Sequence, residues 1–205
     1  MAIQITTDTE LSAVNSILGS IGQSPITALN LAALNNPEIA LVHNLLMEAN
    51  KDIQAESWHF NTEHGVEINR DANGEYLVPN NYIQFDIADG QIDRNRDVIR
   101  KDGKLWDIVH QTHVFDQNFK FDIVYLRQFE DVPPSFQRYI ISRASVRAAT
   151  QLVSNPELVK LLSEQEARAR ATALDYDCAI GDHSFMGWPH ESSYRAYQPY
   201  KALIR

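Results

Sequence analysis

The side chains best suited to metal chemistry are seven histidines and one cysteine, Cys178. His110 and His113 form an H-x-x-H pair, and His59 and His64 flank a predicted helix exit. Neither pair has the H-E-x-x-H spacing that turns two imidazoles to one helix face, and no further pair completes a zinc site. The sequence therefore predicts surface histidines and no metal or cofactor. A single cysteine also allows no internal disulfide.

Carboxylates beside aromatic rings are the second candidate chemistry, and the densest groups are Glu130-Asp131 and Asp175-Tyr176-Asp177. A glycosidase needs two carboxylates at a set separation across a sugar cleft, which proximity in sequence does not establish. Asp131 is better explained as a helix cap before Pro133-Pro134. We therefore predict no catalytic residues and keep a glycan-degrading enzyme as the alternative function.

The sequence gives little support for a phosphate-binding site. The chain has no G-x-x-x-x-G-K-[ST] loop, no G-x-G-x-x-G turn and no G-x-S-x-G nucleophile elbow. Its basic cluster, Arg94-Asn95-Arg96 with Arg100-Lys101, is diluted by Asp93, Asp97 and Asp102. A solvated sheet edge is the favoured interpretation, and contact with an acidic partner or nucleic acid is the other. The net charge of -9 disfavours a DNA-binding regulator, because phosphate contacts dominate DNA affinity.

Two helices are predicted before residue 58. A Thr7–Glu10 capping box opens the first helix, and Gly22 is placed to end it in the left-handed conformation. Asn36-Pro37 opens the second, which should run to about Ser57. Their predicted buried faces are Leu11, Val14, Ile17, Leu18 and Ile21 in the first and Ile39, Val42, Leu45, Leu46, Ala49 and Ile53 in the second.

Two more helices are predicted after residue 131. One follows Pro133-Pro134, and the other opens at Asn155-Pro156, a repeat of the earlier Asn-Pro start. The predicted buried face of the third helix is Phe136, Tyr139, Ile140, Ala144 and Ala148. That of the fourth is Leu158, Leu161, Leu162, Ala167, Ala171 and Leu174.

The segment between the helix pairs has strand patterning instead. Phe119, Phe121, Ile123 and Tyr125 alternate with the residues between them, and Lys101-Asp102-Gly103 has the composition of a hairpin turn. These features predict a small antiparallel sheet with one covered face.

Residues 179–205 show neither helical nor strand periodicity. They are rich in aromatic side chains, whereas disordered tails are usually poor in them. An arm that orders against another subunit is favoured over one folded on its own domain or a disordered tail. The predicted partner-binding residues of the arm are Phe185, Trp188, Tyr194, Tyr197 and Tyr200.

Together these elements predict a mainly α fold with a β-insertion. Residues 1–58 and 127–178 would form a discontinuous four-helix bundle core, residues 59–126 a small antiparallel β domain, and residues 179–205 an extended C-terminal arm. No apolar run approaches the about 20 residues that cross a bilayer, so no membrane insertion is expected.

Three sequence blocks resemble one protein family. Residues 10–25 (ELSAVNSILGSIGQSP), 57–65 (SWHFNTEHG) and 126–136 (LRQFEDVPPSF) occur in the order found in tail tubular protein A, the head-to-tail adaptor of short-tailed (podovirus) bacteriophages. The run at 164–168 and Tyr176-Asp177 are also similar. The blocks cover both helix pairs, whereas residues 71–119 and those after 181 match poorly.

The resemblance implies a virion structural protein of the head–tail junction, assembled in the bacterial host cytoplasm. The family forms a twelve-fold ring that binds the portal protein above and the tail nozzle, tubular protein B, below. Tail fibres can attach at this level, and DNA passes through the channel during ejection with transient, non-specific contact. The family has no cofactor and is not enzymatic.

Overall fold

A computed structural model of the chain describes residues 9–29, 36–88 and 96–181. The elements run in the order α1 (Glu10–Ser20), α2 (Pro37–Gln54), β1 (Thr62–Glu67), β2 (Tyr82–Ile87), β3 (Val98–Lys101), β4 (Lys104–Asp107), β5 (Lys120–Tyr125), α3 (Pro134–Ala148) and α4 (Pro156–Gly181). Two short 3-10 turns, His59–Asn61 and Phe129–Asp131, lie at the borders between helices and strands. The chain is therefore mainly α with a β-rich insertion, as predicted.

The predicted cap of α1 is wrong by two positions. The helix begins at Glu10, and Thr9 is the capping residue: its hydroxyl accepts a hydrogen bond from the Ser12 amide at 3.3 Å. Thr7 itself lies outside the described residues. The C-terminal prediction is confirmed, because Gly22 adopts φ +78° just after the helix, a conformation that glycine takes without steric cost.

Both Asn-Pro helix starts are confirmed. The Asn36 side chain accepts from the Glu38 amide at 3.0 Å, and the Asn155 side chain accepts from the Glu157 amide at 3.1 Å. Each asparagine satisfies an amide that the first helical turn leaves unpaired. α2 ends at Gln54, slightly before the predicted limit.

α3 lies at the centre of the helical part and packs against α1, α2 and α4. All five residues of its predicted buried face are buried. Among the helices, α4 packs extensively against α3 alone, and its fully buried Ala173 joins the core formed with α1, α2 and α3. The predicted four-helix bundle is therefore not confirmed in detail.

The predicted buried face of α4 is wrong in most positions. Leu161 and Leu174 are 58% and 42% exposed, Ala167 and Ala171 are exposed, and of the predicted face only Leu162 is fully buried. α4 carries two apolar stripes. The stripe that packs against α3 is not the predicted one. On that stripe the small residues Ala169 and Ala173 permit close approach, and the Tyr176 ring packs edge-on against Phe136 at 6.2 Å.

The insertion contains two small antiparallel sheets where one was predicted. β5 is the centre of a three-stranded sheet of order β1-β5-β2, and β3 pairs with β4 in a separate hairpin. The predicted alternation in β5 is confirmed on its buried face, where Phe121 and Ile123 are fully buried. The hairpin turn is also confirmed, since Asp102 and Gly103 both have positive φ, as a type I′ turn requires.

Two buried amide side chains hold the insertion on the helices. Gln54, the last residue of α2, accepts from the Arg127 amide at 2.7 Å and donates to the Arg127 carbonyl at 3.0 Å. Asn61 donates to the carbonyls of Gln54 at 2.8 Å and Tyr125 at 3.0 Å, and accepts from the Trp58 amide at 3.0 Å. The strands that enter and leave the insertion are thus tied to each other and to α2. We call these two amides and their backbone partners the junction.

An aromatic cluster packs beside the junction. The Phe136 ring of α3 lies 4.8 Å from the Trp58 ring and 4.7 Å from the Phe60 ring. The Asp177 carboxylate of α4 accepts from the His59 amide at 3.0 Å. The junction therefore connects α2, α3, α4 and the base of the insertion.

Gln54→Leu tests the junction. The substitution replaces the amide by an apolar side chain of similar size and leaves the part-buried Arg127 N–H and C=O without their side-chain partner, which should lower the free energy of unfolding by about 1–3 kcal/mol. Gln84→Leu is the matched control, because the exposed Gln84 amide also bonds a backbone carbonyl, that of Ala55. It should cost no more than about 0.5 kcal/mol. Equal effects in urea denaturation would contradict the assignment.

Candidate assembly surfaces

The five aromatic residues predicted to bind a partner, Phe185, Trp188, Tyr194, Tyr197 and Tyr200, lie outside the described residues. Their role therefore stays a prediction.

The basic cluster does not form one surface patch in the described chain. Arg94 and Asn95 lie outside the described residues, and the Arg96 side chain is only 10% exposed. The Arg96 guanidinium lies 5.5 Å from the centres of the Phe115 and Phe119 rings and 2.8 Å from an Asp116 carboxylate oxygen. Sequence reasoning placed Arg96 on a charged edge, whereas it packs inside the insertion.

The H-x-x-H pair makes local contacts within the insertion. The His110 ring lies 2.8 Å from the Asp107 carboxylate, and the His113 ring lies 3.0 Å from the Leu105 carbonyl. Over residues 9–29, 36–88 and 96–181, no group of three or more His, Cys, Asp or Glu residues is arranged to hold a metal ion. In the same ranges, no helix is long and apolar enough to cross a membrane.

The carboxylates near aromatic rings have structural positions. Asp177 holds the 3-10 turn at the junction. Asp131 is not the cap of α3: it lies in a 3-10 turn, and Pro133 precedes the helix without a capping side chain. Pro134 at the first helical position has no N–H, so the helix start has one fewer amide to satisfy.

Two grooves flank the contact between α3 and α4. The larger, about 340 Å³, is lined by Pro134, Ser135, Arg138, Ala169 and Thr172, without a carboxylate. The other, about 260 Å³, contains one carboxylate, Glu166, which lies 3.8 Å from the Arg143 guanidinium. Neither groove presents the two facing carboxylates that glycoside hydrolysis uses.

Exposed apolar side chains provide a different kind of site. The large hydrophobic residues exposed in the described chain fall into two groups. The helical group is Leu152, Val153, Leu161, Leu174 and Ile180. The insertion group is Leu77, Ile99, Ile108, Val109 and Val114.

The insertion group surrounds one strand, β4, and we call it the insertion surface. Leu77 forms a bridge with Lys104 at one end of β4, and Ile99 is the cross-strand partner of Trp106. Partners directly opposite one another lie on the same face of a sheet, so Leu77, Ile99 and Trp106 share one face. Ile108 and Val109 follow β4 directly and are 42% and 58% exposed.

A buried carboxylate fixes the loop that carries Ile108 and Val109. Asp107 is fully buried and accepts hydrogen bonds from the Val109 amide at 2.9 Å and the His110 amide at 3.0 Å. The Arg96 guanidinium lies 3.3 Å from the same carboxylate. The loop is therefore held in one conformation while its apolar side chains face solvent. Consecutive exposed apolar residues on a fixed loop are typical of an interaction surface.

The pKa of Asp107 is lowered by this environment. Burial by itself raises the pKa, but hydrogen bonds from the His110 amide and ring and from the Val109 amide lower it further than burial raises it. A carboxyl with a lowered pKa stabilises the fold above its unfolded pKa of about 4. That stabilisation disappears as the pH falls through the folded-state pKa.

Apolar side chains that are exposed on both parts of the fold are typical of a subunit that assembles with other chains. Comparison with known proteins agrees. The chain belongs to the tail tubular protein family, whose model matches residues 11–183.

A related phage protein gives the same result. Tail tubular protein A of Klebsiella phage KP34 is 31% identical over 124 residues, which make up 60% of this chain. The match spans 62% of that relative's own length, which is less than two thirds. Both comparisons support a bacteriophage tail protein with a structural role in the virion.

Asp107→Asn tests the anchored loop and its pH dependence. At pH 7 it should lower the free energy of unfolding by about 1–3 kcal/mol, because the buried network loses its negative charge and one of its two acceptor oxygens. Between pH 6 and pH 3 the variant should lose less stability than the unmodified chain, because the group whose folded pKa is lowered is gone. Asp116→Asn is the control.

Asp116 also bonds Arg96, but its side chain is 72% exposed, so its removal should cost less than about 1 kcal/mol. Denaturant titrations at several pH values would measure both effects. The same pH slope in Asp107→Asn and the unmodified chain would contradict the proposed linkage.

Proposed function

We propose that the protein is the head-to-tail adaptor of a short-tailed bacteriophage. In this role, twelve copies form a ring between the portal protein and the tail nozzle, tubular protein B, and complete the channel through which DNA leaves the capsid. The observation that carries the proposal is family membership over residues 11–183, which include both helix pairs and the insertion. Tail fibres are a further proposed partner at this level.

The distribution of apolar surfaces supports a ring. A closed cyclic ring uses a heterologous interface, in which two different patches of each subunit meet. Exposed apolar side chains lie on both parts of the fold, so each subunit offers two different regions for such contacts. The junction holds these parts together, so every subunit in the ring would present its patches in the same relative position.

The charge of the chain suits a conduit for DNA. The net charge is -9, and like charge repels the phosphate backbone. A channel wall with this balance would let DNA pass with only transient, non-specific contact. We propose a passive structural role without enzymatic activity, because neither described groove presents the two facing carboxylates that glycan cleavage uses.

Cryo-electron microscopy of the chain mixed with the portal ring of its phage tests the adaptor function. The expected result is a portal capped by one layer of twelve subunits with the helical and insertion parts recognisable in each. Images of the portal alone and of the chain alone are the controls. A bare portal, with both proteins verified as folded, would contradict the proposal.

A further inference from the structure

One pair of neighbouring residues in the insertion has the composition for a spontaneous modification of the main chain. Asn73 is followed by Gly74, and this is the only Asn-Gly pair in the sequence. Asparagine is a thermolabile residue, because the amide nitrogen of the next residue can attack its carboxamide. Glycine has no side chain and hinders that attack least. Asn73 is exposed in a turn of the insertion, so water reaches its side chain.

The fold requires glycine at position 74. Gly74 has φ +80°, a backbone conformation that other residues disfavour. A Cβ atom at this position would lie 3.1 Å from the Phe115 carbonyl oxygen and 3.1 Å from a methyl group of Val114. The Gly74 carbonyl also accepts a hydrogen bond from the Phe115 amide at 2.8 Å. The turn therefore depends on the residue that makes Asn73 reactive.

Asp71 holds the turn in a conformation that opposes the attack. Its carbonyl accepts from the Gly74 amide at 3.0 Å, so the attacking nitrogen is engaged in the turn. Its carboxylate oxygen Oδ1 accepts from the amides of Asn73 at 2.9 Å and Glu75 at 2.8 Å. The pKa of this carboxyl is lowered, chiefly by the bond from the Glu75 amide, so it is ionised at neutral pH. Closing a ring between Asn73 and Gly74 requires this turn to open locally.

We propose that Asn73 is a site of non-enzymatic deamidation and that Asp71 sets its rate by holding the turn closed. When the turn opens, the Gly74 nitrogen bonds to the Asn73 Cγ and the bond from Cγ to the side-chain nitrogen breaks. That nitrogen leaves as ammonia with the proton of the Gly74 amide. Water then opens the succinimide ring at either carbonyl, which leaves aspartate or isoaspartate at position 73. The proposal is independent of the adaptor function, because it needs only the isolated chain.

The isoaspartate product would alter the insertion. It adds one methylene group to the main chain between positions 73 and 74 and so displaces Gly74 from Phe115. The Phe115 ring packs edge-on against the Tyr76 ring at 5.2 Å and lies 5.5 Å from the Arg96 guanidinium. Deamidation should therefore loosen the packing of the outer insertion.

Incubation of the full chain at physiological pH and temperature tests the proposal. Peptide mass spectrometry follows the replacement of NH2 by OH at residue 73 and separates isoaspartate from aspartate by their fragments. Asp71→Ala should speed the modification about three- to tenfold, because opening the turn no longer breaks the two hydrogen bonds of the carboxylate. Asp71→Asn should react at close to the unmodified rate, since its side-chain oxygen can accept the same two bonds.

Asp86→Ala is the matched control. The Asp86 carboxylate is also exposed and also accepts from a backbone amide, that of Ile87 at 2.7 Å, but it lies on β2, outside the turn. This variant should leave the rate at residue 73 unchanged. Asn118 is the internal control, because it is exposed but is followed by Phe119, whose side chain hinders ring closure. It should stay unmodified over the same period.

Circular dichroism establishes that each variant is folded. Faster modification of residue 73 in Asp71→Ala than in the unmodified chain and Asp86→Ala supports the proposal. No product in either the unmodified chain or Asp71→Ala, or equal rates in the two, overturns it. A second comparison needs no variant: residue 73 of the unmodified chain should react faster in denaturing urea than in the folded state. Equal rates in urea and in the folded state would overturn the protection assigned to the turn.

Discussion

Two buried amides determine how the parts of this molecule relate to one another. Gln54 and Asn61 satisfy backbone groups at Trp58, Tyr125 and Arg127, where the chain enters and leaves the insertion. Buried polar groups of this kind are costly when unpaired, so the two strands can separate from α2 only with a large loss of stability. The Trp58–Phe136 ring contact then attaches α3 beside the junction, and the hydrogen bond from the His59 amide to Asp177 attaches α4 there. The orientation of the insertion surface relative to the helices depends on this arrangement.

The junction brings together sequence blocks that lie far apart in the chain. Residues 57–65 and 126–136 are far apart in the chain, but both contribute to the junction, and Tyr176 and Asp177 meet them there. Residues 71–119 form much of the outer insertion and carry its exposed apolar residues. In an assembly protein, the part that fixes the subunit's shape and the part that meets partners can vary separately.

Local signals predicted the elements well, because they depend on residues close in sequence. The Asn-Pro starts gave two helix boundaries, and alternation gave the buried face of β5. The face of α4 could not be predicted in the same way, since the helix has two apolar stripes and only the position of α3 decides between them. Gln54 and Asn61 were missed because an amide in a sequence gives no sign of burial. Asp107 and Arg96 look like ordinary surface charges until the fold brings them together inside the insertion.

Native-state hydrogen exchange of the isolated chain tests the central role of the junction most directly. The Trp58 and Arg127 amide protons donate to the Asn61 and Gln54 side chains. If the junction opens only when the whole protein unfolds, both amides should exchange with the free energy of global unfolding, as the slowest amides of α3 do. Exchange of these two amides at markedly lower free energy, with α3 still protected, would show that the insertion moves independently and would contradict the account.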